Sequence, residues 1–312
     1  MKVVFHHPAG PELAARLRVL NGSQIDVVVC DRDDLLAGLL PEMEVLWHVL
    51  TPVTAEVIAA APRLRLIQKI GVGVNTIDLD AAVRRGIAVC NLPGTNSRAV
   101  AELTLLLMLA ALRRLPQFDS AMREGRGWGL DPASQDGLGE LGGRTVGLIG
   151  YGAVPRILAP VLIALGARVI YTSRMQIPDA VGAWRSLPAL LEEADIVSLH
   201  VPLTADTQRI IDASALARMR RGAILINTAR GALVDQAALT SALTQGRLAA
   251  AGLDVFADEP VNPADPLLPL PNVVLTPHIG WLTSETFDRS FSLAVENCRR
   301  LAAGGALLHR VA

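Results

Sequence analysis

Apolar residues in this chain fall in short unbroken runs, separated by longer stretches with helical spacing. "KVVFH", "IDVVVC", "VLWHVL", "LRLIQKI" and "GIAVCNL" have the length and β-branched content of buried strands. Segments 12–20 and 54–60, which lie between them, have the spacing of helices. A second series follows: "TVGLIG", "ARVIYTS", "ADIVSLHVP", "GAILINTAR", "LAAAGLDVF" and "NVVLTPH". Strands without in/out alternation are buried on both faces, so the pattern predicts parallel sheets covered by helices. Two such series predict two α/β units. Between them, 94–115 ("GTNSRAVAELTLLLMLAALRRL") predicts one long apolar helix, with Ser97 placed to cap it and Pro116 to end it. The glycine-rich stretch 125–143 is expected to be a surface excursion. No repeat of solenoid length and no low-complexity tract occurs.

Composition narrows the classes. A chain of 312 residues suffices for two domains with sizeable cores. The net charge of −1, with no basic block, argues against a nucleic-acid partner. A small anionic ligand stays open, because one arginine can bind it. The apolar stretch "VAELTLLLMLAAL" carries Glu102 and falls short of the ~18 residues of a membrane span. The N-terminus "MKVVFHHPAG" lacks the apolar run of a signal peptide. Cys30, Cys90 and Cys298 show neither metal-ligand spacing nor a disulfide framework. The expectation is a soluble cytoplasmic protein with buried thiols, no metal, and no membrane or nucleic-acid partner.

The candidate chemistry begins at "GLIGYGAVPRILAP". Gly150 and Gly152 have the first two positions of G-x-G-x-x-G, directly after a predicted strand and before a helix. Gly150 would make the tight turn and Gly152 would let the backbone approach a pyrophosphate. The helix start would supply free N–H groups. Pro155 occupies the third glycine position, where a first helical turn tolerates it, with the helix expected slightly farther from the strand. Pro160 is expected to remove one backbone bond and bend the helix. The ribose is read about 20 residues on, where an acid selects NAD. Here "YTSR" places Ser173 and Arg174 instead, a pair suited to a 2′-phosphate, which favours NADP(H) over NAD(H). Three later segments place reactive side chains after strands: Arg230, then Asp254 and Glu259, then His278. Ligands of open α/β sheets bind outside such strand ends.

The ordered motifs "IGVGVNTIDLDAA", "NLPGTNSRAVAELTLLLML", "ELGGRTVGLIGYG", "LHVPLTADTQRII", "INTARGALVDQAAL", "GLDVFADEP" and "TPHIG" resemble the D-isomer-specific 2-hydroxyacid dehydrogenases over nearly the whole chain. The resemblance implies a Rossmann dinucleotide-binding domain (96–276) inserted into a flavodoxin-like substrate domain (1–95 plus 277–312). It implies catalysis by His278 as general acid/base, Glu259 as its carboxylate partner, fixing its tautomer and raising its pKa, and Arg230 on the substrate carboxylate. Val72 and Gly73 would add N–H groups to the carboxylate site. Asp254 would hold the nicotinamide amide. Ala153, Val154, Val201, Pro202, Thr207, Thr228, Ala229 and Gly280 would line the cofactor. A homodimer held by the segment 96–145 is implied as well. Three departures stand out: Pro155, the Ser173-Arg174 pair, and Trp281, which would narrow the pocket if it faced it. The function expected is NADP(H)-dependent reduction of a small 2-oxo acid such as glyoxylate or hydroxypyruvate. The alternatives are an NAD-dependent enzyme of phosphoglycerate or D-lactate type, a phosphite-type enzyme (disfavoured because Val72 stands where those have lysine), and a dinucleotide-sensing interaction protein.

Overall fold

Five of the apolar runs pair into one parallel sheet, because each is buried on both faces and can satisfy its backbone only through neighbours of the same kind. They are β1 (Lys2–His6), β2 (Asp26–Cys30), β3 (Val45–His48), β4 (Leu66–Lys69) and β5 (Ala88–Cys90), in the order β2-β1-β3-β4-β5. The computed structural model describes residues 1–22 and 24–312. They divide into two compact units, Met1–Asn96 with Leu282–Ala312, and Ser97–Trp281.

In the first unit, alternate residues of the sheet build two cores. Val4, Leu46, Ile67 and Val89 form one row in register and belong to a single buried cluster. Phe5 and Trp47 face the other way, with ring centroids 5.8 and 5.7 Å from Phe291. Phe291 lies on the helix Ser284–Ala302, whose start is capped by the Thr283 hydroxyl accepting from Thr286 N. Asn297 on the same helix donates to Gln68 Oε1 at 2.7 Å, so the last helix is stapled to the sheet by a buried amide pair. Two residues along from the first apolar row, His6, His48 and Lys69 stand side by side at the carboxyl ends of three adjacent strands.

The second unit holds β6 (Thr145–Ile149), β7 (Arg168–Thr172), β8 (Ala183–Trp184), β9 (Ile196–Leu199), β10 (Ala223–Asn227), β11 (Leu248–Leu253) and β12 (Val273–Leu275). Their order is β12-β11-β10-β9-β6-β7-β8, all parallel. The direction of strand succession reverses between β6 and β9, which is where a doubly wound sheet opens a ligand crevice. The helix Ser97–Arg113 packs on β11 at Gly252, where a Cβ would stand 2.9 Å from Leu107 Cβ.

Several local expectations are revised. Ser97 is the first residue of its helix and is buried. That helix ends at Arg113 because Arg114 turns left-handed (φ 49°), and Pro116 then sits in the first turn of a new helix, Leu115–Arg123. Proline starts a helix here instead of stopping one, consistent with its tolerance at first-turn positions. Pro160 lies inside the helix Ala153–Ala164, where the sequence placed it, and is exposed. The strand β8 had no sequence signal, being two exposed residues at a sheet edge. The chain re-enters the first unit at Leu282, not at 277. The reason is local: Ile279 and Gly280 donate to Asp254, and the Trp281 indole N–H donates to His278 O at 2.9 Å, tying 278–281 to the second unit.

No helix among the described residues is long and apolar enough to cross a membrane, and none of their His, Cys, Asp and Glu side chains group as a metal site. The three cysteines are buried and form no disulfide, and burial pushes the Cys90 and Cys298 thiols up to about 11.

Candidate active site

All the chemistry-bearing residues of the second unit sit on loops that leave carboxyl ends of its strands. The first loop follows β6. Gly150 adopts φ +97°, and a Cβ there would press on the His200 carbonyl, so only glycine fits. Its N–H donates to Thr172 O at 2.9 Å, joining the turn to β7. Gly152 caps the helix Ala153–Ala164 with extended backbone and no side-chain cap. A Cβ at Gly152 would meet nothing within 4 Å, which leaves open space over the helix start. The N–H groups of Ala153 and Val154 lie in the first turn, where an α-helix has no acceptors of its own. Pro155 falls in that same turn and has no N–H to satisfy. A turn that needs a bare Cα, followed by an open helix start, fits a dinucleotide pyrophosphate.

After β7, Ser173 donates its hydroxyl hydrogen to Met175 O at 2.6 Å, which bends the chain sharply. Arg174 is exposed beside it. The Ser173 hydrogen is thus already in use, and Arg174 is the group placed to meet an anion. After β9, Thr207 donates to Pro202 O at 2.6 Å and accepts from Thr204 N at 2.8 Å. That closes a small loop behind Val201. Neighbouring His200 shares a 2.9 Å hydrogen bond with Ser198, and burial pulls its pKa down to about 3.

The loop after β10 is shaped by Asn227. Its Oδ1 accepts from Ala229 N at 3.0 Å and its Nδ2 donates to Arg230 O at 2.9 Å. Thr228 is buried and shares a 2.9 Å hydrogen bond with Thr104. Arg230 is half-buried and donates to Ala229 O at 2.6 Å. Burial pulls its pKa below the ordinary guanidinium value, opposed by the charge of Glu259. Gly231 lies so close to Phe256 that a Cβ would collide with the Phe256 carbonyl.

The loops after β11 and β12 complete the group. Glu259 Oε2 lies 2.6 Å from His278 Nδ1, and Glu259 Oε1 accepts from Phe256 N at 3.0 Å. Burial pushes the Glu259 carboxyl up. The hydrogen bond and charge of His278, the Phe256 N–H and the charge of Arg230 outweigh it, leaving the group below the usual carboxylate range. Glu259 is therefore an anion at neutral pH, and His278 Nδ1 faces it as a donor. This fixes Nε2 as the atom available for chemistry on the far side of the ring. His278 itself is left-handed (φ +55°), an uncommon conformation for a non-glycine residue.

Asp254 supports this geometry from below. It is 1 % exposed, and its carboxylate accepts from Thr276 Oγ1 at 2.6 Å and from the N–H groups of Ile279 and Gly280 at 2.8 Å each. Burial pushes its carboxyl up, with the three donors and His278 opposing. The expectation that Asp254 reaches a nicotinamide amide meets a side chain turned inward onto the His278 loop. A Cβ at Gly280 would stand 2.9 Å from Asp254 Oδ2, so glycine is what permits the approach. Trp281 is buried, with its indole N–H on the His278 carbonyl. It braces the loop. The second unit thus assembles Arg230, Glu259 and His278 through adjoining loops. Val72 and Gly73 lie in the first unit, on the loop after β4, with Val72 exposed. Sequence reasoning missed Thr104, Asn227 and Thr276, because a helix threonine and two strand-end polar residues carry no motif of their own.

Residues 105–280 match the family described as D-isomer specific 2-hydroxyacid dehydrogenase, NAD binding domain. A glyoxylate reductase of Aeropyrum pernix is 43 % identical over 272 residues, covering 84 % of this chain and 81 % of that protein. A D-3-phosphoglycerate dehydrogenase of Mycobacterium bovis is 42 % identical over 278 residues, covering 88 % of this chain but 52 % of that protein. The chain thus spans about half the length of its mycobacterial relatives. Among solved structures, an NADPH-dependent glyoxylate/hydroxypyruvate reductase of Sinorhizobium meliloti in complex with citrate superimposes with a TM-score of 0.83 at 30 % identity, covering 100 % of this chain and 97 % of that one.

Proposed function

The chain belongs to the D-isomer-specific 2-hydroxyacid dehydrogenases, and on that premise we propose that it is an NADPH-dependent reductase of a small 2-oxo acid, of glyoxylate or hydroxypyruvate type, forming the D-2-hydroxy acid. The observation that carries the proposal is the 2.6 Å His278–Glu259 pair, with Arg230 close enough for its charge to act on Glu259. A bound nicotinamide dinucleotide would supply the hydride. The chain's own residues manage the rest. The Arg230 guanidinium matches the planar carboxylate and carbonyl of a 2-oxo acid and orients it. His278 Nε2 delivers a proton to the carbonyl oxygen as the alcohol forms, while its Nδ1 hydrogen stays on Glu259. The N–H groups of Ala153 and Val154 would meet the pyrophosphate, and Val201, Pro202, Thr207, Thr228, Ala229 and Gly280 would line the remaining dinucleotide. Asp254 acts through the loop that it holds rather than by touching the amide.

Arg174 supports the choice of NADPH, because an exposed guanidinium stands where an acid would repel a 2′-phosphate. A homodimer is part of the same proposal. Leu106, Leu109, Leu115 and Met122 leave an apolar face exposed along the helices Ser97–Arg113 and Leu115–Arg123, and a second copy would cover it. The molar mass in solution by light scattering tests it, and a monomer at micromolar concentration would refute it.

The decisive assay is oxidation of NADPH and NADH with glyoxylate, hydroxypyruvate, pyruvate and bulkier 2-oxo acids. Turnover with NADPH and a small 2-oxo acid is expected, and no turnover of any acid would refute the reductase reading. The mycobacterial relatives favour a second reading, NAD-dependent oxidation of D-3-phosphoglycerate. Faster turnover of that substrate with NAD than of any 2-oxo acid would establish it instead.

A further inference from the structure

The loop after β6 and the end of β7 each carry a tyrosine, and the two rings meet. Tyr151, the residue between the two glycines, and Tyr171 have centroids 4.5 Å apart and are both buried. Neither is among the residues given a part in the chemistry above. Each phenol closes a pair of hydrogen bonds on one residue of the segment that follows Arg174. Tyr151 OH donates to Val181 O at 2.9 Å and accepts from Val181 N at 2.7 Å. Tyr171 OH donates to Ile177 O at 3.2 Å and accepts from Ile177 N at 2.9 Å. A phenol has one hydrogen and lone pairs to spare, so one hydroxyl can serve both groups of one peptide residue. Two such clamps, four residues apart, fix the path of the segment at both ends.

Other contacts point the same way. Ala180 N donates to Ile177 O at 3.2 Å, which makes a turn between the clamps. The Trp184 indole donates to Ser173 O at 3.3 Å, and Arg185 N donates to Tyr171 O at 2.8 Å, so the far end returns to the strand end where it began. The Arg156 guanidinium lies 5.7 Å from the centre of the Tyr151 ring and 3.7 Å from Asp179, between the clamps. Gly182 adopts φ +116° and lies so near Val169 that a Cβ would stand 2.8 Å from its carbonyl oxygen. This backbone is held by side-chain hydroxyls where a strand or helix would hold its own, and the exposed Arg174 is carried at its start.

We propose that Tyr151 and Tyr171 are positioning residues for cofactor choice. Their paired phenols hold the segment 173–184 so that Arg174 meets the 2′-phosphate of NADPH. The proposal rests on the reading that Arg174 recognises that phosphate. Removing either hydroxyl would release the segment, spread Arg174 over many directions, and weaken NADPH selectively. NADH, which offers Arg174 no phosphate, would bind nearly as before.

The test is cofactor affinity by titration calorimetry for wild type, Tyr151→Phe, Tyr171→Phe, Arg174→Ala and Tyr171→Phe combined with Arg174→Ala. Thermal unfolding is recorded for each. Phenylalanine keeps the rings and their contact, and the two single variants are independent probes should one fold poorly. The expected result is an NADPH dissociation constant raised about tenfold in each tyrosine variant, a 1.4 kcal/mol change, with NADH changed less than about twofold. In the combined variant the tyrosine change should add nothing to the Arg174→Ala loss. Equal losses for both cofactors, or an unchanged NADPH/NADH ratio in both tyrosine variants, would overturn the proposal while leaving the Arg174 reading intact. A wild-type protein without NADPH preference, or an Arg174→Ala variant that loses both cofactors equally, would overturn that reading and the proposal together.

Discussion

The carboxyl edges of the two sheets make an instructive pair. Both are parallel sheets with ionisable side chains at, or on the loops just beyond, the carboxyl ends of their strands. In the first, His6, His48 and Lys69 are all sealed, at 4, 0 and 6 % exposure. The Lys69 ammonium donates to the Val49 carbonyl, and His48 Nε2 shares a 2.8 Å hydrogen bond with Thr76. Burial pulls the His48 pKa down to about 2, with the charge of Lys69 and the neighbouring His6 acting in the same direction. In the second, His278 stays part-exposed, and an adjoining loop brings it a carboxylate. Strand ends place reactive groups in both sheets alike. The loops decide whether such a group is sealed away or left open with an anionic partner.

The comparison is sharpened most by His278→Ala. It should cut kcat by about 10²–10⁴-fold with the unfolding midpoint unchanged, as steady-state kinetics and thermal unfolding would read. A loss under tenfold would remove the distinction between the two edges. Glu259→Gln should cost less, on the order of 10²-fold in kcat. Because the Glu259 pKa is depressed in the folded protein, its contribution to stability is present above the unfolded carboxylate pKa and is lost as pH falls through the folded value.

Histidines whose pKa is held down behave differently. His48 and His200 stay neutral down to about 2 and about 3, so below the unfolded histidine pKa of about 6.5 the unfolded chain binds more protons. Stability should therefore fall as pH drops below that value, by up to about 1.4 kcal/mol per pH unit for each, in urea titrations at pH 7.0 and 5.5. His48→Leu should flatten the slope and leave kcat unchanged. A slope that stays the same would show that His48 is not sealed in solution. The smallest effect belongs to a site on neither edge: Pro160→Ala should raise stability by about 1 kcal/mol, since an exposed helix interior gains from alanine.

Much of this was legible in the sequence because the signals were strong and local. Unbroken apolar runs marked eleven of the twelve strands among the described residues, and the glycine spacing marked the turn after β6. The failures have physical causes. Nothing in "AW" announces β8, since an edge pair of two exposed residues buries too little to leave a pattern. Arginine carries no signal for the left-handed turn at Arg114 that ends the long helix. Asp254 was legible as important but not as inward-facing, because its donors come from Thr276, Ile279 and Gly280, whose approach depends on the path of the loop. His6, His48 and His278 look alike as letters, and burial of the first two and the carboxylate beside the third separate them.

The contact of Gly231 with the Phe256 carbonyl has a practical meaning for anyone wishing to broaden the substrate range. It leaves no slack between the loop of Arg230, the proposed grip on the acid, and the loop of Glu259, the carboxylate beside the proposed proton donor. A side chain added there would not widen the pocket. It would pry Arg230 and Glu259 apart and spoil grip and proton transfer together. Redesign should spare this joint and work on the side chains around it.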